Sequence, residues 1–191
     1  TGAWDSQEEA RLISDEIECV DYAVAKGAHV INASFGGSYF SQASYDAYKR
    51  ARDAGIIVVC ATPNESENIE LAPSYPANFL LDNIVSVTNT TRHDTLFPSA
   101  GFGSGLVDLG APGAALLTAS AAGDREYRLA TGTSFAAPTV AGTIALLKAQ
   151  FPSDTYRETM NRLADRSRRT ARRGIPARMR SAGMNAPNGV L

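Results

Sequence analysis

The chain has 191 residues and a mass of 20.2 kDa, the size of one domain. Apolar residues make up 44% and charged residues 20%, and the formal net charge is −2. These values exclude a wholly disordered chain and a collagen-like fibre, and no bulk charge steers the protein toward nucleic acid or a membrane. Cys19 and Cys60 are too few for a disulfide scaffold and form no CxxC pair.

The chain opens on Thr1 with no initiator Met, basic region or apolar leader, as expected of a processed product or a fragment. Ile13, Ile17, Val20 and Val24 then repeat at helical spacing, and Gly27 supplies a stop. His29 to Phe35 reads as a buried strand ended by Gly36 and Gly37. Ser41 is placed to cap a second helix that runs to Gly55. Ile56 to Ala61 and Ile84 to Thr88 are two more short apolar strands, and Leu106 to Leu109 is a shorter fourth. Such strands alternating with helices predict βαβ crossovers, hence an α/β fold with a mostly parallel sheet between helices. The loops 62–83 and 89–105 are rich in Pro, Asn, Ser and Gly. Loops that long inside a compact domain usually carry function.

Leu129 to Leu147 is free of charge for nineteen residues, long enough to span a membrane. Eight of these are Thr131, Gly132, Thr133, Ser134, Pro138, Thr139, Gly142 and Thr143, too polar for lipid, so a helix buried in protein is expected. Ser153 follows Pro152 and is placed to cap a last helix with Tyr156, Met160 and Leu163 on one face. From Arg162 to Arg180 eight arginines face only Asp165, a net +7 that leaves −9 for the rest. No aromatic residue interleaves them, which favours a solvated basic surface over a nucleic-acid patch. The glycine run from Gly101 to Gly105 leads into a strand signal and no Lys-Ser or Lys-Thr pair follows, so it is not a phosphate cradle.

The most unusual stretch is Gly132-Thr133-Ser134-Phe135-Ala136-Ala137-Pro138-Thr139-Val140-Ala141-Gly142. A buried helix with a Thr or Ser N-cap is its plain reading. Pro138, however, sits four residues after Ser134, so its ring is expected to clash with the Ser134 carbonyl and distort that turn. Free N–H groups of a first helical turn beside a serine suit an acyl-transfer nucleophile and its oxyanion.

This stretch resembles the nucleophile motif of the subtilisin-like serine proteases, the subtilases, with Phe135 for Met and Thr139 for His. The resemblance implies that Ser134 is the nucleophile. Val30 to Gly36 resembles the family strand that pairs with substrate and walls its specificity pocket, which assigns Ser34, Phe35 and Gly36 to substrate binding. Cys60 to Asn64 resembles the segment whose Asn donates to the oxyanion, so Asn64 takes that role. Tyr75 to Ala77, Val107 to Gly113 and Gly183 to Asn185 resemble three further recurrent segments.

Residues 1–191 are thus expected to be a partial subtilase catalytic domain, its C-terminal portion, with the three-layer fold of the family and the first strands missing. The family's triad runs Asp, His, Ser in chain order, and its Asp and His motifs precede the substrate strand. Only 33 residues precede Ser34, and neither motif is among them. His29 stands five residues before Ser34, roughly 16 Å along a strand and at its wrong end. His93 falls in the polar loop Thr90 to Asp94 and reads as a solvated histidine. The expected function is peptide-bond hydrolysis by a serine endopeptidase, through an acyl-enzyme on Ser134. Its partners are a polypeptide substrate and a missing N-terminal part that supplies the Asp and His, without which the chain is inactive and unstable. A non-catalytic peptide-binding relative and a nonfunctional fragment are the alternatives. An extracellular or cell-envelope location and bound Ca²⁺ are also implied, although no calcium ligand set is assignable here.

Overall fold

The computed structural model describes residues 6–172. Helix α1 (Ser6–Ala25) leads into strand β1 (Val30–Ala33), helix α2 (Gln42–Asp53) and strand β2 (Ile57–Ala61). Strands β3 (Ile84–Thr90) and β4 (Leu109–Pro112) follow, then a hairpin of β5 (Leu116–Ala119) and β6 (Tyr127–Ala130). Helices α3 (Thr133–Gln150) and α4 (Tyr156–Arg172) complete the described chain.

The sheet has the order β1-β2-β3-β4 and is parallel throughout, with Val30 opposite Ile57, Val58 opposite Ile84 and Val87 opposite Leu109. Every residue of β2 and β3 is buried, the polar Ser86, Thr88, Asn89 and Thr90 of β3 included, because both faces of the sheet are covered. Strand alternation divides β2 between two cores. Val58 and Cys60 pack with Val20, Ala47, Tyr48 and Ala51 under α1 and α2. Ile57, Val59 and Ala61 pack with Ala136, Ala137, Val140, Ile144 and Leu147 under α3. Helices thus cover both faces, and the three-layer α/β arrangement expected from the sequence is present. On the first face Glu16 ties α1 to α2, accepting hydrogen bonds from Tyr48 OH at 2.7 Å and Ser44 Oγ at 3.1 Å.

Several elements differ from expectation. The fourth strand begins at Leu109, not Leu106, because Leu106 lies in a turn and Val107 buries its side chain just before the strand. Pro112 closes β4, which an edge strand tolerates. The first strand spans only Val30 to Ala33, and β3 runs on to Thr90. Ser41 Oγ caps α2 as expected, accepting from Ser44 N at 3.2 Å. The last helix is capped instead by Thr155: Thr155 Oγ1 accepts from Glu158 N, and Glu158 Oε2 accepts from Thr155 N. The charge-free run divides between β6 and α3, and no described helix is long and apolar enough to cross a membrane. Arg162 pairs with Asp154 at 2.5 Å, while Arg173, Arg178, Arg180 and the segment Gly183 to Asn185 lie outside the described residues.

Candidate active site

Parallel strands deliver their following loops to one edge of the sheet, where α/β folds build sites. Ser34 leaves β1 there and Asn64 leaves β2, and α3 begins there with Ser134 in its first turn. The expected Ser or Thr cap of α3 is absent. Its N-cap is Gly132 at φ 156° and ψ 162°, a region open essentially to glycine alone. A Cβ at Gly132 would stand 3.3 Å from Asn64 Oδ1. That oxygen does the capping from 69 residues away, accepting from Thr133 N at 2.9 Å and lying 3.2 Å from Thr133 Oγ1. Thr133 is fully buried and its hydroxyl donates to the Thr62 carbonyl at 2.5 Å. With Oδ1 committed to an N–H donor, the Asn64 side chain has one orientation, and its Nδ2 amide remains beside the cleft.

Pro138 does not break α3, which is continuous from Thr133 to Gln150. It has no N–H for the Ser134 carbonyl, and that carbonyl instead accepts from Ser34 Oγ at 2.9 Å. Ser34 Oγ in turn accepts from Asn32 Nδ2 at 2.9 Å. Ser134 Oγ returns the contact, donating to the Ser34 carbonyl at 3.1 Å. Two serines 100 residues apart are therefore clasped in both directions.

A cleft of about 160 Å³ opens at this clasp. Segments 34–36 and 61–65, with Ser74, Thr133 and Ser134, line it. The first segment is lashed to the loop after β2 by Gly37 N to the Tyr75 carbonyl at 2.9 Å and Tyr75 N to the Gly37 carbonyl at 2.8 Å. Gly36 lets the two segments approach closely, since a Cβ would fall 2.6 Å from Ser74 Oγ and 3.3 Å from the Tyr75 carbonyl. Pro63 is held by its carbonyl, which accepts from Gly101 N at 2.7 Å. Glu65 Oε2 accepts from Asn64 N at 2.7 Å.

All five sequence-predicted site residues, Ser34, Phe35, Gly36, Asn64 and Ser134, thus line one cleft. Both histidines lie elsewhere. His29 is exposed at the amino end of β1, and His93 sits in a turn with Nε2 accepting from Arg92 Nε. Ser134 Oγ bonds the Ser34 carbonyl, and no described histidine or carboxylate hydrogen-bonds it. Among the described residues no group of three or more His, Cys, Asp or Glu side chains gathers to hold a metal ion. Asn32, Thr133 and Ser74 were not foreseen. Strand alternation places Asn32 on the face of Ser34, a signal that could have found it. Thr133 sat inside the quoted motif, whereas Ser74 comes from an irregular loop and had none.

Fold and site together define a class: a three-layer α/β protein with a serine-bearing helix start at the carboxyl edge of its parallel sheet. Residues 5–186 match the subtilase family model, and the chain belongs to that family. It is 28% identical over 182 residues to Subtilisin-like protease 2 of Plasmodium falciparum (isolate 3D7), covering 92% of this chain and 13% of that protein. It is 35% identical over 135 residues to the Major intracellular serine protease of Bacillus subtilis (strain 168), covering 70% of this chain and 41% of that one. The crystal structure of a cold-adapted subtilisin-like serine proteinase matches with a TM-score of 0.72 at 29% identity, over 81% of this chain and 54% of that one. The chain spans well under half the length of the two curated relatives. One of these is named as intracellular, so membership does not fix the compartment.

Proposed function

We propose that residues 1–191 are the nucleophile-bearing part of a serine endopeptidase catalytic domain. One observation carries the reading: Ser134, the Asn64 amide and segment 34–36 line a single cleft. A polypeptide lies along Ser34 to Gly36 as an added strand, held by main-chain hydrogen bonds. Ser134 Oγ attacks the scissile carbonyl carbon, and the negative charge that develops on its oxygen meets Asn64 Nδ2 and the Ser134 N–H. The C–N bond breaks, the amine leaves with a proton, and water then hydrolyses the acyl group from Oγ.

The Ser134 proton is donated to a backbone carbonyl, which is too weak a base to remove it. The base and its orienting carboxylate therefore come from a further segment, the part bearing the family's His and Asp. Two features support a docking place for it. Strand β1 is an edge of the sheet among the described residues, and α3 leaves Thr139, Gly142, Thr143 and Leu146 exposed. The test is fluorophosphonate labelling of the intact protein and of residues 1–191 alone, with Ser134→Ala as control. Labelling of Ser134 is expected in the intact protein and should be about 10²–10⁴-fold slower in the isolated chain. Equal rates would refute the shared triad, and no labelling of the intact protein would refute the peptidase reading.

A further inference from the structure

Strand β3 carries one side chain whose surroundings leave it unpaired at both ends. Alternation puts Asn89 on the face of Val85 and Val87, beneath α3, and it is fully buried. Neither its Oδ1 nor its Nδ2 has a hydrogen-bond partner among the described residues. Ser86 and Thr88, on the other face, donate to the Ala77 and Gly101 carbonyls at 2.8 and 2.6 Å. A leucine of the same shape would suit the place of Asn89 better, so a buried carboxamide there calls for a use. Its position supplies one. Gly113 has no side chain, and the point where its Cβ would stand is 2.7 Å from Asn89 Oδ1, 2.7 Å from the Gly132 carbonyl oxygen and 3.0 Å from Ala136 Cβ. The carboxamide and the Gly132 carbonyl thus share one small space under the first turn of α3. That carbonyl accepts from Phe135 N at 3.1 Å and has a second lone pair to offer. It belongs to the planar peptide between Gly132 and Thr133, whose N–H points the opposite way and donates to Asn64 Oδ1 at 2.9 Å.

We propose that Asn89 is a positioning residue for the chemistry at Ser134. A carboxamide has the same shape turned end for end, and with Nδ2 toward Gly132 it donates to that carbonyl, directly or through one water. The peptide is then held on both sides, by Asn89 at its oxygen and by Asn64 at its nitrogen. Asn64 Oδ1 is fixed in turn, and its Nδ2 is kept aimed at the oxyanion. Asn89 touches no substrate and acts through this peptide alone. The inference rests on the peptidase reading and adds to it a residue from outside the cleft lining.

The test is Asn89→Leu in the intact protein, which keeps the shape and removes both polar atoms. Its Tm should be unchanged or higher, because no unpaired carboxamide remains buried. The maximal rate of fluorophosphonate labelling of Ser134 should nevertheless fall about tenfold, at an unchanged half-saturating concentration. Hydrogen exchange at the Thr133 N–H should quicken by about tenfold. A residue that only filled space would move neither rate while Tm held. Labelling as fast as in the wild type, or slowed only in step with a fall in Tm, overturns the proposal. Should Asn89→Leu not fold, Asn89→Ala takes its place, with the same changes expected in labelling and at Thr133, and an unchanged labelling rate there overturns it equally. If wild-type Ser134 is labelled and the variant matches it, only the role of Asn89 falls. If wild-type Ser134 is never labelled, the peptidase reading falls and takes this one with it.

Discussion

The clasp between Ser34 and Ser134 depends on Pro138, and that dependence is measurable. In an uninterrupted helix the N–H of residue 138 would bond the Ser134 carbonyl. Here Ser34 Oγ does so at 2.9 Å while accepting from Asn32 Nδ2. Ser34→Ala removes that donor and leaves the Asn32 amide without its acceptor. An unpaired buried polar group costs about 1–3 kcal/mol. Both serines are only half-buried, so water recovers part of this, and the expected loss is about 1 kcal/mol. Pro138→Ala returns an N–H to the helix, and in that background Ser34→Ala should cost only a few tenths, roughly the value of an ordinary exposed substitution. Denaturant midpoints of the four proteins, compared at unchanged m, close a double-mutant cycle. A coupling of about 0.5–1 kcal/mol is expected, and additivity within about 0.3 kcal/mol would refute the account.

Two other perturbations test the framework around the site. Gly132→Ala forces a side chain into a backbone region it rarely enters and toward Asn64, and should cost about 1–3 kcal/mol in thermal unfolding; an unchanged Tm would show that the cap geometry is wrong. Asp108 is half-buried, and desolvation pushes its carboxyl up from an ordinary 3.8 to about 6, against the opposing hydrogen bond from Ser86 N. Between about pH 4 and 6 the folded chain holds a proton that the unfolded chain has lost, so stability falls as pH rises through that window, by about 3 kcal/mol in all. Asp108→Asn should flatten that slope and raise stability at pH 7. A slope that survives the substitution would point to another group.

What was legible in the sequence follows from the range of the interactions involved. The strand Ile57–Ala61 is buried on both faces and an unbroken apolar run announces it, whereas Ile84–Thr90 is equally buried but only Ile84, Val85 and Val87 mark it. The cap of α2 is equally local, since Ser41 and its acceptor duty to Ser44 lie three residues apart. The hairpin was invisible because its polarity does not alternate with exposure. Leu117 and Leu129 face each other across the strands yet are 70% and 69% exposed, and Tyr127 on the same face is 67% exposed. Leu106 and Val107 drew the fourth strand three residues early, while the true strand carries Gly110 and Pro112, which read as loop. At the site, the residues were legible through their motifs but their bonds were not. No local rule predicts that an asparagine 69 residues back caps α3, or that Pro138 hands its missing hydrogen bond to Ser34.

Three of the bonds that shape the site join elements far apart in the chain: Thr133 to Asn64, Ser134 to Ser34, Gly37 to Tyr75. None of these residues holds its position through its own helix or strand alone. Their geometry is set by how α3 seats against the sheet, through Ala136, Ala137, Val140 and Ile144 over Val59, Ala61 and Val87. Contacts of such separation carry the entropic cost of closing a long loop. A small shift of α3 across the sheet would move Ser134 relative to Asn64 and Ser34 together, because the same helix start bonds both. The site is for that reason a readout of packing. A substitution at Ile144, farther along α3 and buried against the sheet, acts on the same geometry as one at Gly132.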